Sequence, residues 1–209
     1  MDLATAKDIL EILYFISGPV VAVAALIGLR QLSIAKRTAS ASAKRDAFKL
    51  SSQQISFYLN EMIPRQNELS DFADSEGLDL LEKSEVSVDS ENITISVEEV
   101  DDPVDQMKKL GPYVLPVMNG MESFAAPMVS GVAAESVAFA AVGRTYCDSV
   151  RRLAPILVPL ANDGYFRNVL ALFYFWNPRL ERENLMFQKA EIDSKLSKIT
   201  RRHIPPIGS

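Results

Sequence analysis

The stretch ILYFISGPVVAVAALIGLRQLSIAKR, from Ile12 to Arg37, decides the fold of this chain. Its first 18 residues, Ile12 to Leu29, carry no charge. A helix rises about 1.5 Å per residue, so a segment of this length spans about 27 Å, close to the hydrocarbon thickness of a bilayer. A helix in the core of a soluble protein usually turns one polar face to water, and this segment has no charged face. The stretch therefore predicts a helix that crosses a membrane.

The residues that flank the apolar stretch indicate what kind of membrane segment it is. Ala22-Val23-Ala24 is similar to a signal-peptide cleavage site, but three of the four charged residues before Ile12 are acidic, whereas a signal peptide begins with positive charge. The positive charges follow the stretch instead, at Arg30, Lys36 and Arg37. Lys and Arg are retained on the cytoplasmic side, so we expect a single-pass anchor in the inner (cytoplasmic) membrane, with the N-terminus outside and the C-terminus in the cytoplasm. A cleaved signal peptide and a buried core helix are the alternatives.

Composition limits what the rest of the chain can be. The protein has 209 residues, of which 48% are hydrophobic, so one domain of about 150 residues can follow the anchor. The single cysteine, Cys147, cannot form an internal disulfide, which fits a reducing cytoplasm. Its small and apolar neighbours favour a buried core residue over a reactive thiol.

Charge is distributed unevenly along the chain. Thirteen acidic residues and one basic residue lie between Asp71 and Asp105. We interpret this segment as a solvated connecting region, and binding of a cation or a basic partner is the alternative. From Arg144 to the end, eleven basic residues are interleaved with six acidic ones, which is typical of a solvated helix face. We therefore do not expect nucleic acid as a partner.

Residue patterns predict a mainly α-helical fold with one β-hairpin. From Arg30 there is no Gly or Pro until Pro64, which predicts a helix that continues out of the membrane. Residues 86–97 alternate in polarity around a polar turn, which predicts a β-hairpin. Asp101 or Asp102, followed by Pro103, predicts the start of a short helix. Further predicted helices are Pro112–Ser130, Ala134 to about Pro155, a segment capped by Asp163 that ends at Trp176, and Pro178–Arg202.

These elements predict the organisation of the whole chain. A transmembrane helix continues into a long cytoplasmic helix, and a small helical domain with one β-hairpin insert follows. The predicted domains are residues 1–30 (transmembrane anchor), 31–63 (cytoplasmic helical stalk), 64–110 (acidic connecting region with the hairpin) and 111–209 (helical bundle).

The order of these features resembles a bacterial family of single-pass membrane-anchored helical proteins, known as a domain of unknown function. The resemblance lies in the short N-terminus, in a span that runs into GLRQLSIAKR, and in a later Asn-x-x-Glu helix that begins NGMES. It covers about residues 8–60 and 115–157, and the acidic segment 71–105 departs from the pattern. The family implies an architecture and a bacterial membrane, and it implies no activity.

The sequence contains no arrangement typical of catalysis or cofactor binding. His203 is the only histidine, and the C-terminal tail is a poor place to hold a general base. A glycine-rich phosphate loop is missing, and one His with one Cys does not suit zinc. Glu122 and Glu135 could form a carboxylate pair on adjacent helices, but Glu122 is better interpreted as a first-turn acid in a helix capped by Asn119. We expect no enzyme activity, no metal and no cofactor.

The remaining signals concern association. Within the span, small residues recur four positions apart, a spacing that lets helix backbones approach closely in lipid, although small residues are also common as lipid-facing filler. The predicted helix-association residues are Gly18, Ala22, Ala24 and Gly28, and the predicted membrane-surface residues are Arg30, Lys36 and Arg37.

Two functions fit these expectations. In the first, a non-catalytic membrane-anchored tether or scaffold binds a cytoplasmic partner at the inner membrane. In the second, an oligomeric membrane effector of a bacterial antiphage system forms a pore or perturbs the bilayer. The span favours the first, because no charged residue marks a pore lumen between Ile12 and Leu29. Expected partners are the lipid bilayer, further copies of the chain and a cytoplasmic protein.

Overall fold

The structure is a computed structural model that describes residues 3–89, 92–97 and 100–198. It is mainly α-helical with one two-stranded antiparallel hairpin, so the predicted fold class is confirmed. The helices are α1 (Leu3–Phe57), α2 (Ile63–Ser75), α3 (Pro103–Val129), α4 (Glu135–Asn162) and α5 (Arg167–Lys198), the strands are β1 (Ser84–Asp89) and β2 (Asn92–Val97), and a π-helical segment (Tyr58–Met62) follows α1.

The described chain divides into two units, one ending at Ala47 and the other beginning at Phe48. The division falls inside α1, within the predicted stalk. We call the second the compact unit, because it contains a buried core. Each unit is described separately below.

The first unit is a continuous helix that passes through Pro19. In this helix, Tyr14, Val21 and Leu26 are each at least two-thirds exposed. A helix in lipid must satisfy its polar groups internally, and the Ser17 hydroxyl donates to the Tyr14 carbonyl at 2.8 Å. Among the described residues, one helix is long and apolar enough to cross a membrane, and it lies near the N-terminus.

Aromatic side chains form the centre of the compact unit. Tyr58, Phe124, Tyr146 and Trp176 are all fully buried. The ring centroids of Phe124 lie 5.0 Å from Tyr58 and 5.6 Å from Tyr146, and Tyr146 lies 5.1 Å from Trp176. These residues come from the π-helical segment, α3, α4 and α5, so the cluster joins the helices into one core.

The prediction that prolines separate the helices of this unit is wrong. α3 begins at Pro103 and passes through Pro112, and α5 passes through Pro178. Proline removes one backbone hydrogen bond and leaves a carbonyl without its donor. Pro112 and Pro178 are both exposed, but Pro155 is buried and α4 continues through it as well, so exposure of a proline does not decide where these helices end. The helices continue where the sequence predicts ends.

The ends of α3 and α4 also differ from the predictions. Asp102 caps α3, since its carboxylate accepts from the Asp105 N–H at 3.1 Å, and the helix it starts is long rather than short. Asp163 ends α4 instead of capping the next helix. Gly164, at φ 96°, and Phe166, at φ 52°, turn the chain before α5 begins.

The acidic region between α2 and α3 contacts the core more closely than the sequence predicts. Leu78, Leu80 and Leu81 are buried between exposed acidic residues. The buried Gln106 side chain accepts from the Leu80 N–H at 3.0 Å and donates to Asp79 Oδ1 at 3.0 Å. These contacts fix the acidic segment to the start of α3.

The hairpin is confirmed at the predicted position. β1 pairs with β2 so that Val88 faces Ile93 across the ladder, and both side chains pack against the core. Both strands contact α4. Because side chains alternate along each strand, the other face of the hairpin stays polar and exposed.

Candidate membrane and interaction surfaces

The four predicted helix-association residues lie fully on the surface of α1. A Cβ atom added to Gly18 or Gly28 would meet no atom within 4 Å, so both positions are open to a neighbouring helix. At about 100° per residue, the pair Gly18 and Ala22 lies about 120° around the helix from the pair Ala24 and Gly28. One neighbouring helix can therefore contact one pair closely, but not both.

The side of α1 that carries Gly28 continues as a row of small residues. Ala24, Gly28, Ala35 and Ala39 fall within an arc of about 60°. All four are exposed. The small-residue surface thus extends beyond the uncharged stretch, whereas the pair of Gly18 and Ala22 ends within it.

A basic surface lies on another side of α1. Arg30, Arg37 and Lys44 recur at intervals of seven residues, so they lie within an arc of about 40°. The predicted membrane-surface residues Arg30 and Arg37 therefore share one face, whereas Lys36 lies about 100° around the helix from Arg37. We call this surface the basic face; a shallow concavity on it is lined by Ser33, Lys36, Arg37, Ser40, Ala41 and Lys44.

A polar groove runs between α2 and α4 in the compact unit. Arg144 and Arg152 lie at its ends, and its volume is about 300 Å³. The Arg144 guanidinium donates to Asn184 Oδ1 at 2.7 Å, and that of Arg152 donates to the Ser70 hydroxyl. No local sequence pattern indicates this groove, because it exists only where α2 packs beside α4.

A hydrogen-bonded network leads from this groove into the core. Ser149 Oγ lies 2.8 Å from Gln66 Oε1 and 3.4 Å from the Tyr58 hydroxyl. Burial raises the pKa of Tyr58 above its ordinary value, so the phenol stays neutral. The sequence predicts that His203, in the C-terminal tail, does not act as a general base. This stays a prediction, because His203 lies outside the described residues.

Glu122 does not stabilise the first turn of its own helix, because it lies far inside α3. Its carboxylate instead reaches the start of α5. It accepts from the Asn168 side chain at 2.7 Å, from the Val169 N–H at 3.0 Å and from the Asn168 N–H at 3.3 Å. The acid therefore caps the N-terminus of another helix, where negative charge is favourable.

Glu135 and Glu122 have separate roles. Glu135 Oε1 accepts from the Trp176 indole N–H at 2.6 Å and lies 3.5 Å from the Arg179 guanidinium. Arg179 in turn lies 3.8 Å above the Phe139 ring. Each carboxylate is thus occupied by a different contact with α5. Within residues 3–89, 92–97 and 100–198, no three His, Cys, Asp or Glu side chains are grouped so as to hold a metal ion.

Cys147 is fully buried, as predicted. Burial raises the pKa of its thiol to about 12. The thiolate is the nucleophilic form of cysteine. This side chain is therefore unreactive in the folded protein at neutral pH.

The last part of α5 exposes apolar side chains. From Glu181 to Ser197 every residue except Asn184 is exposed. Leu185, Ile192 and Leu196 lie on one stripe, and Phe187, which is 82% exposed, lies on the opposite side. We call residues 181–198 the α5 extension. Its apolar surface has no cover within the described part of the chain.

Comparisons of the chain with protein-family models, with curated proteins and with solved structures found no match.

Proposed function

We propose that the protein is a non-catalytic membrane-anchored tether, in which α1 holds the compact unit at the cytoplasmic face of a bacterial inner membrane and the unit binds a cytoplasmic protein. One observation carries the proposal: the uncharged residues Ile12–Leu29 form a helix in which the apolar side chains that the structure describes are exposed. Such a surface is unfavourable in water and favourable in hydrocarbon.

The charges on both sides of this stretch support the orientation. Asp8 and Glu11 precede it, and Arg30, Lys36 and Arg37 follow it. Basic residues next to a span are retained in the cytoplasm. The compact unit, which follows them in the chain, is therefore cytoplasmic in this proposal, where Cys147 stays reduced.

The α5 extension is the surface that we assign to the partner. An exposed helix with an apolar stripe binds well to a protein that offers a hydrophobic groove, because residues one or two helical turns apart act as anchors. Leu185, Ile192 and Leu196 have that spacing, and each is more than half exposed. The polar side chains Glu122 and Glu135, by contrast, are occupied in holding α5 to the core.

The test is purification of the full chain from its native cell in mild detergent, with measurement of the particle mass and of co-purified proteins. We expect one stoichiometric partner, which Leu185→Gln/Leu196→Gln removes. The matched control is Val104→Gln/Val132→Gln, which changes two similarly exposed side chains outside the extension. Retention of the partner by the first variant would refute the assigned surface, and a particle without any partner would refute the tether.

An oligomeric membrane effector is the second candidate function. The observation in its favour is that Gly18 and Gly28 are open to a neighbouring helix. The same mass measurement separates the two, since the effector requires a ring of many copies without a stoichiometric partner. Leakage of a dye from vesicles that contain the purified protein would support the effector directly.

A further inference from the structure

We propose that the basic face of α1 binds the headgroups of anionic phospholipids. The inference rests on the proposed anchoring of α1 in a membrane and adds to it a preference for particular lipids. The face has the chemistry that phosphate groups require, with several cations and the hydroxyls of Ser33 and Ser40 in one concavity.

The arrangement of the cations on the helix supports this inference. Arg30, Arg37 and Lys44 lie above one another, with about 10.5 Å between successive Cα positions along the axis. Lys36 lies about 100° around the helix from Arg37 and lines the same concavity as Arg37 and Lys44. A lipid headgroup beside α1 can therefore meet two cations at once.

The positions of the cations along α1 match the depth of the headgroup layer. This layer is about 5–8 Å thick on each side of the hydrocarbon, and charge is felt for about a further 8–10 Å at physiological salt. Arg30 directly follows the last uncharged residue, Leu29, and Lys36 and Arg37 lie about 10–12 Å beyond Leu29 in an upright helix. Lys44, at about 22 Å, contributes less.

The described part of the chain shows no ion pair that involves Arg30, Lys36, Arg37 or Lys44. Between Glu11 and Asp46 the sequence contains no acidic residue. The ion pairs that the structure describes lie elsewhere, and Arg30, Arg37 and Lys44 are exposed. Anionic headgroups are the complementary charge that the adjacent bilayer supplies.

The basic face and the small-residue row occupy different sides of α1. Ala35 and Ala39 point about 160° away from Arg37. Two copies could therefore pack through the alanine side while Arg30, Arg37 and Lys44 stay in contact with lipid. Lys36 lies between the two surfaces, about 60° around the helix from Ala39.

The experiment uses the full chain in vesicles of phosphatidylcholine and phosphatidylglycerol. Leu29→Trp places a fluorescent reporter at the end of the uncharged stretch, and the native Trp176 is fully buried and adds a constant background. In each set of vesicles one of the two lipids carries a bromine label that quenches tryptophan fluorescence. Quenching of the reporter is compared between vesicles with labelled phosphatidylcholine and vesicles with labelled phosphatidylglycerol. We expect the anionic lipid to be enriched about fivefold beside the reporter, and less at high salt.

Lys36→Gln/Arg37→Gln should lower this enrichment to below about twofold, because each cation near the surface contributes a factor of about five at most. Lys108→Gln/Lys189→Gln removes the same charge from exposed positions of the compact unit and should leave it unchanged. Equal quenching by both lipids, or equal loss in both variants, would overturn the lipid preference alone. Absence of quenching by either lipid would overturn the membrane anchoring as well.

Discussion

Replacing Glu122 with alanine should destabilise the compact unit by about 2–3 kcal/mol. The carboxylate accepts three hydrogen bonds at the start of α5, two from backbone N–H groups and one from the Asn168 side chain. Loss of a helix cap costs about 1 kcal/mol, and removal of a negative charge from a helix N-terminus costs up to about 2 kcal/mol. Glu122→Gln should cost about 1 kcal/mol, because the amide keeps one acceptor oxygen.

The assay is thermal unfolding of the full chain in detergent, followed by the fluorescence of the buried Trp176. For a unit of this size, a loss of about 3 kcal/mol lowers Tm by about 6–12 °C. Glu191→Ala is the control, since Glu191 forms an exposed ion pair with Lys195 that should contribute less than about 0.5 kcal/mol. If the Tm of Glu122→Ala lies within about 2 °C of the Tm of the control, the assigned cap is refuted.

Three further predictions concern single positions. Gly120→Ala should lower stability by about 1–2 kcal/mol, because its Cβ would overlap a buried methionine side chain, whereas Gly111→Ala, in open space on the same helix, should raise it by up to about 1 kcal/mol; urea unfolding measures both. Burial raises the pKa of Cys147, so its thiol stays protonated in the folded protein at a pH where the unfolded thiol ionises. The contribution of this thiol to the free energy of unfolding is complete below the unfolded pKa of about 8.5 and is lost as the pH rises toward 12. Stability should therefore fall by about 2 kcal/mol between pH 8.5 and 10, and unfolding of Cys147→Ala should show a flatter pH dependence. Gly28→Leu should weaken crosslinking between copies in membranes more than Gly18→Leu, because the row of small residues continues only from Gly28; equal crosslinking in both variants and the parent would mean that neither residue lies at a helix contact.

Sequence reasoning found the elements whose signals are local. The uncharged stretch, the alternation in residues 86–97 and the Asp102-Pro103 start each depend on a few neighbouring residues, and the structure has a helix or strand at each. The burial of Cys147 also followed from its apolar neighbours.

Helix ends were predicted less well, because tertiary packing can override the local tendency of proline to end a helix. Helices α3, α4 and α5 continue through Pro112, Pro155 and Pro178, of which Pro155 is buried and the other two are exposed. The predicted role of Glu122 was also wrong because it depends on tertiary packing. The hydrogen-bond partners of Glu122 are more than 40 residues away in sequence. The groove between Arg144 and Arg152 likewise depends on tertiary packing.

In the proposed function, residues 12–29 anchor the compact unit on the cytoplasmic side of a membrane. Fusions to alkaline phosphatase, which is active only outside the cytoplasm, measure this directly. We expect an active enzyme for a fusion before Met1. For a fusion after Ser209 we expect an inactive enzyme that stays with the membrane during extraction at alkaline pH. An active enzyme after Ser209 would refute the orientation, and release of that fusion into the soluble fraction would refute the anchor.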